Sequence, residues 1–256
     1  MAKAFWYIGR WSLFQHLEDN QMAELEKKAK QRAFPKGSAI YVPFDNAESV
    51  FLLAEGRIRI CSSTPEGKQA ILAFIEPGEI FGELAVLNSS DHEERAEAAL
   101  PSTVIMLPSD DFRKVMESSS ELSIGITKLI GFRRARIERR LRGLLFRSNR
   151  ERLCQLLVEL ADQYGRQKAE GVELTIALSH QELASVIGAT RESVTMLLGE
   201  LQLEGLIKVA RKRVLIRDLK CLAAIVQLPT PVVTDVSRTE VNAELFRLAG
   251  PTGMKE

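Results

Sequence analysis

Cysteine and histidine are both scarce in this sequence, with three of each among 256 residues. Cys61, Cys154 and Cys221 are odd in number and too far apart to form a metal clip, which excludes a disulfide framework and points to a reducing compartment. His16, His92 and His180 lie far apart and read as surface or capping residues. No apolar run reaches the roughly 18 residues of a membrane helix, and Met1 to Arg10 lacks a basic segment followed by an apolar one. The expectation is a soluble, cytoplasmic protein without a membrane partner. Walker loop, nucleophile elbow and zinc spacing are all missing, and Asp110-Asp111 before Phe112 reads as a pair of helix-start charges. Neither an enzyme nor a metal or covalent cofactor is expected.

The charge is close to balanced, with 35 basic and 34 acidic side chains, but its distribution is uneven. Residues 1–131 carry 14 basic and 19 acidic groups, whereas residues 132–256 carry 21 and 15. A basic second half suits a polyanionic partner such as nucleic acid; a merely solvated face is the alternative.

From Phe34 to about Leu107, short apolar or alternating runs are punctuated by Pro35-Lys36-Gly37, Glu55-Gly56, Pro65-Glu66-Gly67 and Pro77-Gly78. The runs are 39–42, 50–53, 58–60, 69–74, 98–100 and 103–107, a spacing that predicts a barrel or roll closed by hairpins. After Ser109 the period lengthens. Leu122, Ile126, Leu129, Ile130, Ile137, Leu141 and Leu144 recur at steps of three, four or seven, predicting one helix of roughly 25 residues. Its length suggests pairing with a second copy, with packing inside one monomer as the alternative. Ser148-Asn149-Arg150-Glu151 is a capping box that opens a further helix. Residues 165–171 read as a polar link and 174–178 as a short strand. The predicted fold is α+β: a β-roll over 1–119, a long dimerisation helix over 120–147, a winged helix-turn-helix over 148–220 and an extension over 221–256. A short helix is possible within the extension, at 237–248.

Ser179 to about Ile187 and Thr190 to about Leu203 are two amphipathic helices joined by Gly188-Ala189, the spacing of a helix-turn-helix. At 100° per residue, Val194, Leu197, Leu198 and Leu201 share one arc of the second helix, while Arg191, Glu192, Thr195 and Met196 occupy another. The second arc is free to read base edges: Arg suits guanine and Glu suits cytosine. Beyond it, Ile207-Lys208-Val209 and Val214-Leu215-Ile216 flank Arg211, Lys212 and Arg213, the pattern of a wing on a phosphate backbone.

Phe81-Gly82-Glu83-Leu84-Ala85 followed by Arg95-Ala96-Glu97-Ala98 resembles the phosphate-binding cassette of the cyclic-nucleotide-binding roll. With the long helix and the Ala189 to Val194 reading motif, residues 12–220 resemble the CRP/FNR (catabolite activator) family of bacterial transcription regulators. The resemblance implies a homodimer on palindromic double-stranded DNA, with RNA polymerase as a further partner. It implies effector contacts at Gly82, Glu83, Leu84, Ala85, Arg95 and Ala96, and DNA contacts at Ser179, Gln181, Thr190, Arg191, Glu192, Thr195, Met196, Arg211, Lys212 and Arg213. Glu83 and Arg95 fall where cyclic-AMP-binding members hold the ribose and the phosphate. The Glu-to-Arg loop is about two residues longer than in the type member, however, and Ile137 and Glu138 stand where hydroxyl residues meet adenine. Through Leu178-Ser179-His180-Gln181, Thr190-Arg191, Val194-Thr195 and Leu197-Leu198-Gly199 the sequence also resembles the nitrogen-control branch, in which Arg95, Arg133 and Glu138 would surround 2-oxoglutarate. Six arginines among residues 133–142 call for compensation by an anionic effector, by the acidic 89–94 loop or by solvent. The redox branch's N-terminal cysteine cluster has no counterpart here, since residues 1–60 contain no Cys. Met196 stands where many members have a second Arg, which implies a half-site relaxed at an inner guanine. A signalling adaptor working through protein association and an effector-independent regulator are the alternatives.

Overall fold

A computed structural model describes residues 14, 17–65, 67–88, 90–210 and 213–235. They fall into two compact units that part within the long helix, after Arg134. The first unit comprises α1 (Asp19–Lys28), β1 (Lys30–Phe34), β2 (Ala39–Tyr41), β3 (Ser49–Glu55), β4 (Ile58–Ser63), β5 (Gln69–Ile75), β6 (Ile80–Phe81), α2 (Glu83–Asn88), β7 (Arg95–Ala98), β8 (Ser102–Pro108), α3 (Ser109–Ser118) and the start of α4 (Ser120–Phe146). Two antiparallel sheets, ordered β1-β8-β3-β6 and β2-β7-β4-β5, make the roll.

Strand β3 shows how the pattern specifies the layers. Its period-2 alternation sends Phe51 and Leu53 between the sheets, where they meet Tyr41, Ile58, Ile75, Phe81 and Ala96. Val50, Leu52 and Ala54 face the other way, onto Leu25, Val86, Phe112, Leu122 and Ile126 of the covering helices. Burial on both faces is why the strand reads as an unbroken apolar run.

Three expectations for this unit need correction. The strand expected at 98–100 lies at 95–98, which places Arg95 on β7 itself. β1, with four of its five residues exposed, is a polar strand whose sequence carries no alternation to reveal it. His92, expected at the surface, is buried.

One backbone strain stands out. Phe44 has φ +72° although its side chain is 86% exposed. The turn is held by Phe44 N–H donating to His92 O (2.8 Å) and Val42 N–H donating to Asp45 Oδ2 (2.9 Å). A side chain in the left-handed region costs about 1–2 kcal/mol, partly offset by the unfolded-state entropy of glycine, about 0.5–1 kcal/mol. Phe44→Gly therefore raises unfolding stability by about 0.5–1 kcal/mol in urea titration. A loss of stability would mean that the phenyl ring makes contacts its exposure conceals.

The second unit contains the remainder of α4, then α5 (Asn149–Tyr164), β9 (Gly165–Lys168), β10 (Gly171–Leu174), α6 (His180–Ile187), α7 (Arg191–Leu203), β11 (Ile207–Ala210), β12 (Arg213–Ile216) and α8 (Leu219–Ile225). Ser148 and Glu151 form the expected capping box at the start of α5. The supposed polar link at 165–171 is a hairpin, β9 on β10, in a sheet ordered β11-β12-β10-β9. The strand expected at 174–178 ends at Leu174, because Thr175 turns its N–H and hydroxyl to Tyr164 O rather than to a ladder. Ile176 and Leu178 are still buried, so the alternation was real but belongs to a loop. α8 packs on α5 with Leu222 and Ala223 buried and lacks a sequence signal beyond its Asp218 cap. The cationic tip residues Arg211 and Lys212, the helix expected at 237–248 and His16 lie outside the described residues. Among the described residues, no helix is long and apolar enough to cross a membrane.

Candidate effector pocket and nucleic-acid interface

In the roll, Gly82 occupies a left-handed turn (φ +76°) between β6 and α2. A Cβ there would lie 2.8 Å from the Phe51 ring and 3.3 Å from His92, so only glycine fits. The turn delivers Glu83, 2% exposed, into the interior. Its carboxylate accepts from Arg133 Nη1 at 2.7 Å, and Arg133 Nη2 donates to Ile80 O at 2.5 Å. Arg133 thus turns inward from α4, compensating a carboxylate fifty residues upstream.

Arg95 and Glu97 stand two apart on β7 and share a face, with Arg95 Nε 3.2 Å from Glu97 Oε2. Arg59, opposite Glu97 in the β4–β7 register, binds the same carboxylate. The Arg95 side chain remains about one-third exposed. Ala96 is buried in the core between the sheets; Leu84 is exposed on α2. Ala85 also lies on α2.

Beside this cluster, His92 stacks on Tyr41 with ring centroids 3.7 Å apart and planes 10° from parallel. Burial holds the imidazole below its ordinary pKa. The Tyr41 hydroxyl donates to Glu94 Oε1 at 3.2 Å; burial raises the Glu94 carboxyl and drives the Tyr41 phenol well above its usual range. The acidic loop therefore has partners on β2, where the sequence allowed it to cover the arginines of the long helix.

Those arginines find other environments. Arg140 is largely buried, which lowers its pKa, and Glu159 of α5 is the main opposing charge. Arg147, one residue past the end of α4, donates to Gln155 Oε1 (2.5 Å) and to Val226 O (2.8 Å). Arg142 is exposed. Glu138 does not join Arg133: five residues turn a helix by about 140°, and Glu138 is exposed.

Along α4 the apolar stripe divides. Leu122 and Ile126 are buried against the roll, with Leu129 and Ile130 packed beside them. Ile137, Leu141 and Leu144 are each about half exposed, and Phe132, Leu145 and Phe146 are more exposed still.

In the second unit, Ser179 caps α6 and Thr190 caps α7. Their hydroxyls are engaged locally: Ser179 Oγ with Glu182, and Thr190 Oγ1 with Ser193 N and Oγ. Gly188, at φ +67°, makes the turn, and a Cβ there would lie 2.9 Å from Leu144 Cδ2. Val194, Leu197, Leu198 and Leu201 are buried, while Arg191, Glu192, Thr195 and Met196 form the exposed arc. Gln181 is exposed on α6. Arg213, 76% exposed, stands at the start of β12 with Glu173 3.9 Å away.

Sequence reasoning missed His92, Tyr41, Glu94 and Arg59, and it missed a link between His180 Nδ1 and Thr195 Oγ1 at 2.8 Å. Only the Arg95-x-Glu97 alternation offered a signal. The cysteines are free thiols; burial pushes Cys154 up to about 11, leaving it protonated and inert. Among the described residues, no group of three or more His, Cys, Asp or Glu is placed to hold a metal ion.

Comparison with known proteins matches residues 31–119 to the cyclic nucleotide-binding domain family and residues 151–225 to the Crp-like helix-turn-helix domain family. The second match extends through α8, past the boundary at 220 expected from sequence. The chain is 30% identical to the global nitrogen regulator of Synechococcus elongatus over 71% of its own length and 82% of the relative's. It is 26% identical to the CRP-like cAMP-activated global transcriptional regulator of Mycobacterium tuberculosis, over 84% of this chain and 96% of that one. Among solved structures, a CooA mutant from Carboxydothermus hydrogenoformans superposes with a TM-score of 0.70 at 25% identity, covering 78% of this chain and 88% of that chain.

Proposed function

The chain belongs to the CRP/FNR family of DNA-binding transcription regulators, and from that premise we propose that it acts as a homodimer on a palindromic site under the control of a small anion held in the roll. The observation that carries the dimer is the exposed apolar surface on the second half of α4, from Phe132 to Phe146. Such a surface calls for a partner, and a second copy of the same helix supplies a self-complementary one. Two-fold symmetry then brings two α7 helices to successive major grooves about 34 Å apart. Arg191 and Glu192 read bases; Arg213, with Arg211 and Lys212, lies on the phosphate backbone. The caps at Ser179 and Thr190 fix helix orientation, and Gln181 meets the backbone. The DNA-bound dimer then acts on RNA polymerase.

For the effector, the pairing of Arg133 favours a cyclic nucleotide over a dicarboxylate. A dicarboxylate such as 2-oxoglutarate needs two guanidiniums free to face it, whereas Arg133 is engaged by Glu83 and Ile80 O. A cyclic nucleotide needs one guanidinium for its phosphate, which Arg95 provides, and one carboxylate for its ribose hydroxyl, which Glu83 provides while its Oε1 is held by Arg133. Arg95 lies 3.2 Å through Nε from Glu97 Oε2, and its side chain is exposed enough to meet phosphate oxygens. Gly82, Leu84, Ala85 and Ala96 contribute the surrounding backbone. Isothermal titration with cyclic AMP should give one saturating site per protomer, weakened at least about tenfold in Arg95→Ala, a charge-assisted contact being worth about 1.5–3 kcal/mol. Binding of 2-oxoglutarate in place of cyclic AMP would overturn the assignment and favour the nitrogen-control reading with Glu138.

A further inference from the structure

We propose that His180 is a positioning residue for sequence reading: by holding the hydroxyl of Thr195, it makes α7 present a methyl group, and so selects a pyrimidine bearing a 5-methyl group at one position of each half-site. In ordinary DNA that base is thymine. The inference rests on the DNA-reading function proposed above and concerns how the same helix discriminates.

Thr195 Oγ1 donates its single proton to the Arg191 carbonyl at 2.9 Å, one turn back along α7. The same oxygen lies 2.8 Å from His180 Nδ1. In the Nδ1–H tautomer of His180, on which the inference rests, the ring nitrogen donates to the hydroxyl oxygen. The donor and one of the two acceptor lone pairs of the hydroxyl are then used inside the protein, where a serine or threonine on a reading helix ordinarily offers a base both a donor and an acceptor.

What Thr195, an exposed residue, then has to offer besides one lone pair is its γ-methyl. In the major groove the apolar feature that a methyl group meets is the C5-methyl of thymine. His180 is supplied by α6, whose start is fixed independently by the Ser179–Glu182 capping box. The donor is thus set by a different element from the reader, and Thr195 cannot turn to a base without leaving two hydrogen bonds. The same chain reaches the Arg191 carbonyl and so stiffens the first turn, where the guanidinium originates.

Uracil in place of thymine removes the methyl and nothing else, which makes it the direct probe. The full-length protein is titrated by fluorescence anisotropy against a duplex obtained by binding-site selection, with each thymine of both half-sites replaced by uracil in turn. One replacement should weaken binding about 15-fold, from a loss of about fourfold per half-site when one buried methyl contact is removed. Thr195→Ser, which keeps the hydroxyl, should abolish this preference. Thr195→Val should keep it and make it indifferent to His180→Ala, whereas His180→Ala in the natural background should reduce it and His180→Asn, a donor, should restore part of it.

A flat uracil scan, or a thymine preference untouched by His180→Ala, overturns the proposal. So does a His180→Ala variant that alters only the salt dependence, since that would make His180 a phosphate contact. Should the natural protein fail to distinguish the selected duplex from a scrambled one, the DNA-reading function itself falls, and the inference with it. The two serine and valine variants decide the matter even where a His180 variant is poorly folded.

Discussion

Replacing Arg191 by alanine should lower affinity for the specific site by at least about thirtyfold while leaving weak, salt-sensitive binding to unrelated duplex in place. Arg191 is exposed in the first turn of α7, one residue past its Thr190 cap and beside Glu192 on the same arc. A bidentate contact to guanine contributes about 1–3 kcal/mol, and a symmetric dimer loses it twice. Electrophoretic or anisotropy titrations at two salt concentrations separate the effects, because loss of a base contact changes specificity with little change in salt slope, whereas loss of a phosphate contact changes the slope by about one. If specific and non-specific binding fall together, Arg191 positions the backbone rather than reading sequence. If neither changes while a protein partner is still bound, the chain works through protein association.

The second large effect concerns stability. Arg133→Met leaves the Glu83 carboxylate, with a side chain only 3% exposed, without its guanidinium. Breaking a buried pair from one side costs about 3–5 kcal/mol, because the remaining charge stays desolvated. For a unit of this size the melting temperature should fall by roughly 10 °C. Removing both charges, as Glu83→Gln with Arg133→Met, should recover most of that loss, since an uncharged pair of similar volume is often neutral. Differential scanning calorimetry of the two single variants and the double variant measures the coupling. Additive losses would show that Glu83 and Arg133 contribute separately, and that α4 is not tied to the cassette turn through this pair.

Much of this arrangement is written in local sequence. The capping boxes at Ser148 and Ser179, the Gly188 turn and the buried arc of α7 each involve residues within one or two turns of one another, so spacing alone specifies them. The apolar run of β3 announces a strand buried on both faces for the same reason. What spacing does not carry are the partners that tertiary folding supplies. Arg133 was legible as inward-facing from its place on the apolar stripe, but its carboxylate lies on the far side of the roll in sequence. His92 reads as a polar loop residue until Tyr41, fifty-one positions earlier, offers a ring to stack on. β1 is polar because it forms one edge of its sheet, and β9 is a short, largely exposed edge strand; both lack the alternation that reveals a half-buried strand. The acidic loop shows the limit most clearly. Charge offered the arginine-rich helix as one place for this loop among other ways to compensate the arginines, whereas the partner Glu94 has, the Tyr41 hydroxyl, is one that spacing does not suggest.

The central claim is that two copies of α7 are held at the pitch of a duplex. Inserting five base pairs between the half-sites of the selected palindrome rotates one half-site by about half a helical turn without altering a single contacted base. Affinity should then fall to that of an isolated half-site, and an insertion of about ten base pairs should not rescue it, because it restores the facing of the half-sites but moves them about a further 34 Å apart. Equal binding to the parent palindrome and to the half-turn insertion would contradict the claim.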